Sequence, residues 1–371
     1  MPSLLRPGHP APWFNAPALS GNPNFSFNTT GGRYVLMLFH GSANHPAGAA
    51  ALKLVEQHRA LFDDDRACFF GVTIDPTDEQ AGRIAQSLPG IRHFLDYDRK
   101  VSDLYGALPD GPGTDNYLPH WVLLDPALRT IAAVPVADGP KIMTELGRIV
   151  AQPLPDGHAP ILIVPRVLEP ELCRHLIALY EKEGGAESGF MREEDGKTVM
   201  RRDYTHKRRS DYEIIDEDLR KTLNRRMIGA LVPAIERAYQ FKVTRVERWT
   251  VACYDADVGG YFRPHRDNTT KGTAHRRFAC TINLNAEDYE GGNLRFPEFG
   301  RRAYRAPTGG AVIFSCSLLH EALPVTKGRR YAFLPFFYDD AGAAIRAANN
   351  KYLADDVIAY PGAEKTVEAV D

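Results

Sequence analysis

The chain has 371 residues, 44% hydrophobic and 25% charged, with a formal net charge of −2. That length exceeds one ordinary core and implies two domains, while the near-neutral balance excludes a general electrostatic pull toward nucleic acid or anionic membrane. No run of about 18 apolar residues is present to span a bilayer. The start, MPSLLRPGHPAPWF, lacks the basic and apolar regions of a secretory signal. Five scattered cysteines without a C-x-x-C pair suit a reducing compartment, so a cytoplasmic location is expected.

Residues 1–150 alternate between strand and helix patterns. RYVLMLF (Arg33–Phe39) reads as a short buried strand between Gly-Gly and His-Gly, and Pro46–Leu61 carries helical spacing on Leu52, Val55 and Leu61. CFFGVTID is a second buried strand that ends at an Asp-Pro turn, followed by a helix around Glu79–Ser87. LPHWVLLD and TIAAVPV are strands separated by DPALR, and a helix runs from about Lys141 to Val150. This order predicts an α/β layer with a largely parallel sheet.

Residues 151–160, rich in Pro and Gly, read as a linker. The pattern then changes across residues 161–340. ILIVPRVL is a strand, Glu169–Glu183 a helix, and Asp216–Tyr239 a longer helix whose first residues, Asp216, Glu217 and Asp218, favour the positive end of the dipole. Val243–Tyr338 is almost entirely short strands and Gly or Pro turns, the signature of a sandwich or barrel. Residues 341–371 carry one helical run, Ala341–Leu353, and a polar end expected to fray.

Within the strand-rich part, GYFRPHRDNTT places His265 and Asp267 two positions apart, on one side of an extended chain. His320 ends the apolar strand in AVIFSCSLLHEALPV, and Arg330 starts another in GRRYAFLPFFYD. Two histidines and one carboxylate without a thiolate suit a first-row divalent ion and leave coordination positions open. A guanidinium nearby can grip a carboxylate through paired, charge-assisted bonds. Singly, each feature has a bland reading: H-x-D recurs by chance, a strand-end histidine is usually structural, and Arg330 could be a surface charge. Their order and setting favour a site.

CYDADVGGYFRPHRDN, CTINLNAEDYEGGNLRFPEFG, APTGGAVIFSCSLLHEALPV and GRRYAFLPFFYD, in that order, resemble the catalytic core of Fe(II)/2-oxoglutarate dioxygenases of the prolyl 4-hydroxylase-like branch. The resemblance covers about Arg245–Asp339, and more loosely Ala159–Thr244 including KRRSDYEI. It implies a double-stranded β-helix (jelly-roll) with flanking helices. It further implies His265, Asp267 and His320 as Fe(II) ligands, Arg330 as partner of the 2-oxoglutarate C5 carboxylate, and Tyr254 as a hydrogen-bonding neighbour of that co-substrate. Where some family members place a second co-substrate tyrosine, this chain has Asn283, with Thr281 on the same face two residues earlier. The implied reaction consumes O2, releases succinate and CO2, and hydroxylates an unactivated C–H bond, with ascorbate to rescue oxidised iron. A peptidyl residue, proline before others, is the expected substrate. A free amino acid or small metabolite is the alternative.

The run Met191–Glu213, dense in charge, reads as a solvated, mobile lid over the active site rather than a nucleic-acid surface, because Glu193, Glu194, Asp195, Asp203 and Asp211 dilute its basic residues. Cys253, Cys280 and Cys316 read as packing residues, and Gly291-Gly292 as a turn or bulge. In the first domain, GRYVLMLFHGSANHPAG and LPHWVLLDP, with Pro119, resemble a thioredoxin-like fold of the peroxiredoxin type. The expected peroxidatic position holds Asn44, His45 and Pro46, while Cys68 opens a buried strand. A redox-inactive docking or homodimerisation module follows. His40, His45 and His120 read as three separate histidines rather than a second metal site. Two competing readings, a thiol peroxidase and a barrel without turnover, are opposed by the missing cysteine and by the complete ligand set.

Overall fold

The computed structural model describes residues 5–154, 156–355, 357 and 359. The chain divides into two compact units, Met1–His158 with Pro297–Arg301, and Ala159–Phe296 with Arg302–Asp371. The first division falls inside the Pro- and Gly-rich segment 151–160.

The first unit is built on a five-stranded sheet in the order Ile91–Leu95, Ala67–Thr73, Tyr34–Gly41, His120–Leu124, Thr130–Pro135. Strand Tyr34–Gly41 is buried along its whole length. Val35, Met37 and Phe39 enter one core with Phe27, Phe94 and Tyr105. Leu36 and Leu38 enter another with Ala51 and Val55 of helix Pro46–Gln57 and Ile142, Met143 and Leu146 of helix Gly139–Val150. Burial on both faces is why this strand reads as an unbroken apolar run.

The sheet is mixed rather than largely parallel. The first three strands pair in parallel, but His120–Leu124 runs antiparallel to both of its neighbours. For the pair with Thr130–Pro135 the reason lies in DPALR. The Asp125 carboxylate accepts from the Ala127 and Arg129 amides, and the Asp125 amide bonds the Arg129 carbonyl, closing a tight return. Only a longer crossover yields parallel neighbours. The helix expected around Glu79–Ser87 is likewise corrected. It is the short Pro76–Gln80, capped by the Asp75 carboxylate, and the chain leaves it at Gly82, whose φ of +63° is left-handed.

The second unit is a sandwich of two antiparallel sheets. The larger has the order Arg245–Glu247, Phe336–Tyr338, Phe278–Asn283, Arg329–Phe333, Thr250–Asp255, Ser210–Glu213, Ala186–Glu187, with Ala311–Ser315 pairing Phe278–Asn283. The smaller runs Lys207–Arg208, Tyr261–His265, His320–Ala322, Leu294–Arg295, Ala303–Tyr304. The two-residue period divides the larger sheet. Val251, Cys253, Tyr331 and Phe333 face a core shared with helices Pro170–Glu183, Glu217–Ala230 and Val232–Tyr239. Ala252, Tyr254 and Ala332 turn the other way and meet Phe262 and Ala322 of the smaller sheet. That inner space holds the site.

Two expectations here need correction. The single helix Asp216–Tyr239 is two helices, Glu217–Ala230 and Val232–Tyr239. Pro233 lies in the first turn of the second, where its missing N–H costs nothing. Met191–Glu213 is not a loose loop but a hairpin, Phe190–Glu194 with Lys197–Arg201, followed by two strands that join the sheets. A helix, Asp340–Asn349, capped by the Asp339 carboxylate, closes the barrel part. The fraying end expected beyond it lies largely outside the described residues. No described helix is long and apolar enough to cross a membrane.

Candidate metal centre

Strand Tyr261–His265 pairs with His320–Ala322 so that His265 stands opposite His320, their ring centroids 4.3 Å apart. Each ring is oriented by its own backbone. Nδ1 of His265 lies 2.7 Å from the Arg263 carbonyl and Nδ1 of His320 lies 3.0 Å from the Leu318 carbonyl. A carbonyl can only accept, so each Nδ1 carries the proton and each Nε2 keeps its lone pair for a metal. Both Nε2 atoms face Asp267, at 3.6 Å from Oδ1 for His265 and 3.3 Å from Oδ2 for His320. The Asp267 amide donates to the Cys316 carbonyl at 2.9 Å, fixing the carboxylate just past the strand end.

Among the described residues this is the one group of histidine, cysteine and carboxylate side chains spaced to hold a metal, with ligand atoms within 4.8 Å of one another. Burial, and then the charge of His320, push His265 down to about 4. Burial alone would raise Asp267, but the neighbouring His320 and His265 outweigh it and hold the carboxyl well below its ordinary value. At neutral pH the His265 imidazole is therefore uncharged and Asp267 is ionised, the forms that ligate a divalent ion. Phe262 stacks on His265 at 3.5 Å and Phe314 lies 4.5 Å from His320, so the walls beside the ligands are apolar.

The same cavity is lined by Arg330, Tyr254 and Thr281. Tyr254 and Arg330 are paired residues on adjacent strands, and the guanidinium carbon lies 5.0 Å from the phenol ring centroid. Arg330 is 2% exposed, yet its Nε and Nη1 have no hydrogen-bond partner among the described residues. A buried cation without an anion is costly, and a carboxylate-bearing ligand fits that vacancy of charge. Asn283 departs from expectation. Its Nδ2 donates to the Ala306 carbonyl at 2.6 Å, and the residue is not part of the cavity wall. Thr281 is there and Asn283 is not.

Several charged residues of the site were hidden in the run read as a solvated lid. Lys207 and Arg209 are buried. Arg209 forks onto Asp211, Nε to Oδ1 at 2.7 Å and Nη2 to Oδ2 at 2.6 Å, and its Nη1 donates to the Tyr254 hydroxyl at 3.3 Å. Lys207 donates to the Ser188 hydroxyl at 2.7 Å and the Gly189 carbonyl at 2.5 Å. Burial, reinforced by the charge of Arg209, pushes its ammonium well below the ordinary lysine value. Burial would raise Asp211, but the charges of Arg209 and Arg248 hold it far below the usual carboxylate range. The sequence did carry a signal. Lys207, Arg209 and Asp211 alternate at the strand period.

The remaining expectations for histidine and cysteine are also placed. His45 caps helix Pro46–Gln57 by accepting from the Ala47 amide, His120 stacks on Phe39 at 4.8 Å, and His40 lies 6.4 Å from His93. Cys68 is buried, and burial pushes its thiol up to about 12. Cys316 is buried too, its thiol pushed up first by burial and then by Asp267.

Residues 249–338 match the 2OG-Fe(II) oxygenase superfamily, so the second unit carries a domain of that class. A PKHD-type hydroxylase of Synechococcus sp. (strain JA-2-3B'a(2-13)) is 30% identical over 118 residues, 29% of this chain and 52% of that protein. The multifunctional procollagen lysine hydroxylase and glycosyltransferase LH3 of Rattus norvegicus is 29% identical over 197 residues, 51% of this chain and 24% of that protein. The chain thus spans about half the length, or less, of these two relatives. Among solved structures, a Pseudomonas putida prolyl-4-hydroxylase aligns with a TM-score of 0.37 and 19% identity, covering 48% of this chain and 91% of that one.

Proposed function

We propose that the chain is an Fe(II)/2-oxoglutarate-dependent dioxygenase that hydroxylates an unactivated C–H bond of a peptidyl residue, proline or lysine first. The observation that carries this reading is the pairing, in one cavity, of the His265–Asp267–His320 donor set with a buried, anion-seeking Arg330. The peptidyl substrate is supported by the lysine hydroxylase relative and by the prolyl hydroxylase-like motifs. For residues 1–150 we propose a thioredoxin-like module without redox chemistry, since the thiol of Cys68 is buried and held protonated.

Iron held by the three ligands would supply the oxygen chemistry, coupling decarboxylation of 2-oxoglutarate to succinate and CO2 with insertion of one oxygen atom into the substrate. The chain's own residues do the rest. The backbone carbonyls of Arg263 and Leu318 keep both imidazoles turned toward the metal position. Arg330 neutralises the distal carboxylate of the co-substrate. The Tyr254 hydroxyl accepts from Arg209, which leaves its own proton free for that same carboxylate. Phe262, Leu294, Phe314 and Leu334 line the cavity and exclude water from the reacting atoms.

The test is incubation with Fe(II), ascorbate and labelled 2-oxoglutarate, with and without proline- and lysine-centred peptides. Succinate is expected from the wild type, none from Asp267→Ala, and little from Arg330→Ala. Metal and 2-oxoglutarate that both bind the wild type without any succinate would refute turnover.

A further inference from the structure

Three guanidinium groups line the cavity: Arg209, Arg248 and Arg330. Their pairing differs. Arg209 has all of its nitrogens engaged, by Asp211, Ser188 and Tyr254. Arg330 is buried and suits the co-substrate. Arg248 is a quarter exposed at its side chain and makes one hydrogen bond among the described residues, from Nη2 to Asp211 Oδ2 at 3.0 Å. That oxygen already receives Arg209.

The backbone adds a second, independent observation. Arg248 has a φ of +71°, in the left-handed region, which is strained for a non-glycine residue and collects at functional positions. It occupies the corner between strands Arg245–Glu247 and Thr250–Asp255. At this corner the Trp249 ring lies against Phe333, on the helix-covered side, while the Arg248 side chain enters the cavity. Its guanidinium carbon then lies 5.7 Å from the Phe336 ring, whose nearer cation, Arg276 at 4.0 Å, is already bonded to Glu247.

A charge tally completes the argument. On the dioxygenase reading, Asp267 and one carboxylate of 2-oxoglutarate would answer the two charges of the metal. The other carboxylate would answer Arg330. Arg209 and Arg248 share the single carboxylate of Asp211, Arg209 by a fork and Arg248 by one bond, so one positive charge of the pair is in excess. Burial, then the charge of Arg209, lower the pKa of Arg248, the direction expected of a cation in need of a counter-charge.

We propose that Arg248 anchors a carboxylate of the substrate being oxidised, so that this substrate is acidic close to the carbon that reacts. The proposal rests on the dioxygenase reading and deepens it to a substrate class. The carboxylate can belong to a glutamate or aspartate side chain of a peptide, or to a free amino acid. The forked donor geometry of arginine suits either.

The experiment is calorimetric, on full-length protein loaded with Mn(II) and saturated with 2-oxoglutarate under argon, so that binding is read without turnover. The probes are proline- and lysine-centred peptides in glutamate and glutamine versions, and free L-amino acids beside their carboxamides. In the wild type at least one acidic probe is expected to bind tenfold or more tightly than its amide twin. In Arg248→Gln that preference shrinks below threefold, while 2-oxoglutarate affinity stays within twofold. Arg248→Lys keeps the charge without the fork and retains part of the preference, and it stands in should the glutamine variant melt early. A preference confined to the peptides, or to the free acids, identifies the source of the carboxylate. Equal binding of every acid–amide pair overturns the proposal, as does a preference that survives in Arg248→Gln. A tenfold loss of 2-oxoglutarate affinity in Arg248→Gln also overturns it, since the residue then serves the co-substrate. Failure of the wild type to bind 2-oxoglutarate at all is a distinct result, and it removes the dioxygenase reading beneath the proposal.

Discussion

Arg330 and Tyr254 stand opposite each other on neighbouring antiparallel strands, the guanidinium carbon 5.0 Å from the phenol ring, and the ring is the nearest compensation the buried charge receives. A ring face is worth about 2 kcal/mol or somewhat more to a desolvated cation, against a cost of several kcal/mol for burying a charge. Arg330→Met should therefore leave the apoprotein as stable as the wild type, or more so. Its 2-oxoglutarate affinity should fall at least a hundredfold. Thermal melts without ligand, paired with calorimetry, check both halves. A destabilised apoprotein would mean that Arg330 serves the fold instead.

Removing Asp267 acts on the metal rather than on the sandwich. Asp267→Ala deletes the carboxylate between two imidazoles, and Co(II) or Mn(II) affinity should drop more than a hundredfold while the secondary structure survives. Metal present at a hundred times its dissociation constant should stabilise the wild type by about 2.7 kcal/mol. Chelation should lower the wild-type melting temperature to that of its metal-free form and leave the variant unmoved. Equal metal affinity in the two proteins would exclude Asp267 as a ligand.

The first unit should be acid-sensitive. His40 and His93 are both pushed down to about 4, each by burial first. Unfolded, each titrates near 6.5, so between pH 6.5 and 4 the unfolded chain binds more protons than the folded one. Stability then rises with pH across that window, by about 1.4 kcal/mol per pH unit for each histidine. Urea midpoints for the first unit should fall steadily from pH 7 to 4.5, and His40→Gln should reduce the slope. An unchanged slope in that variant would place the acid sensitivity elsewhere.

Thiol chemistry should be nearly silent. All five cysteines are buried and free, and burial pushes Cys68 up to about 12 and Cys173 and Cys253 up to about 11. Ellman's reagent should modify fewer than one thiol per native chain in minutes and five after denaturation. Peroxide should persist in the presence of protein and dithiothreitol. Consumption of peroxide that disappears in Cys68→Ser would restore the thiol peroxidase reading.

The candidate metal centre was legible because its residues obey a local rule. His265 and Asp267 sit within one short segment, and His320 and Arg330 begin or end apolar strands, so strand period and chemistry could be read together. Asn283 could not be resolved that way. It shares a face with Thr281, but a carbonyl contributed by Ala306, distant in sequence, decides where its amide points. Arg209 and Lys207 were lost because their charge suggested solvent, whereas pairing with the Tyr261–His265 and Thr250–Asp255 strands buries them. The antiparallel return from His120–Leu124 to Thr130–Pro135 is closed by side-chain bonds of Asp125, which alternation of strands and helices does not encode. The division of the long helix near Pro233 was open to view, and proline's place in a first helical turn would have supplied it.

The cross-strand pairing of His265 with His320 constrains how the protein must mature. Those imidazoles become neighbours only when two strands far apart in sequence have zipped in the correct frame, and a slip of one residue would turn either ring to the opposite side of the sheet. A metal held between them would therefore have to await the finished shell, and protein prepared without metal is expected to be folded and to take up Fe(II) later without refolding.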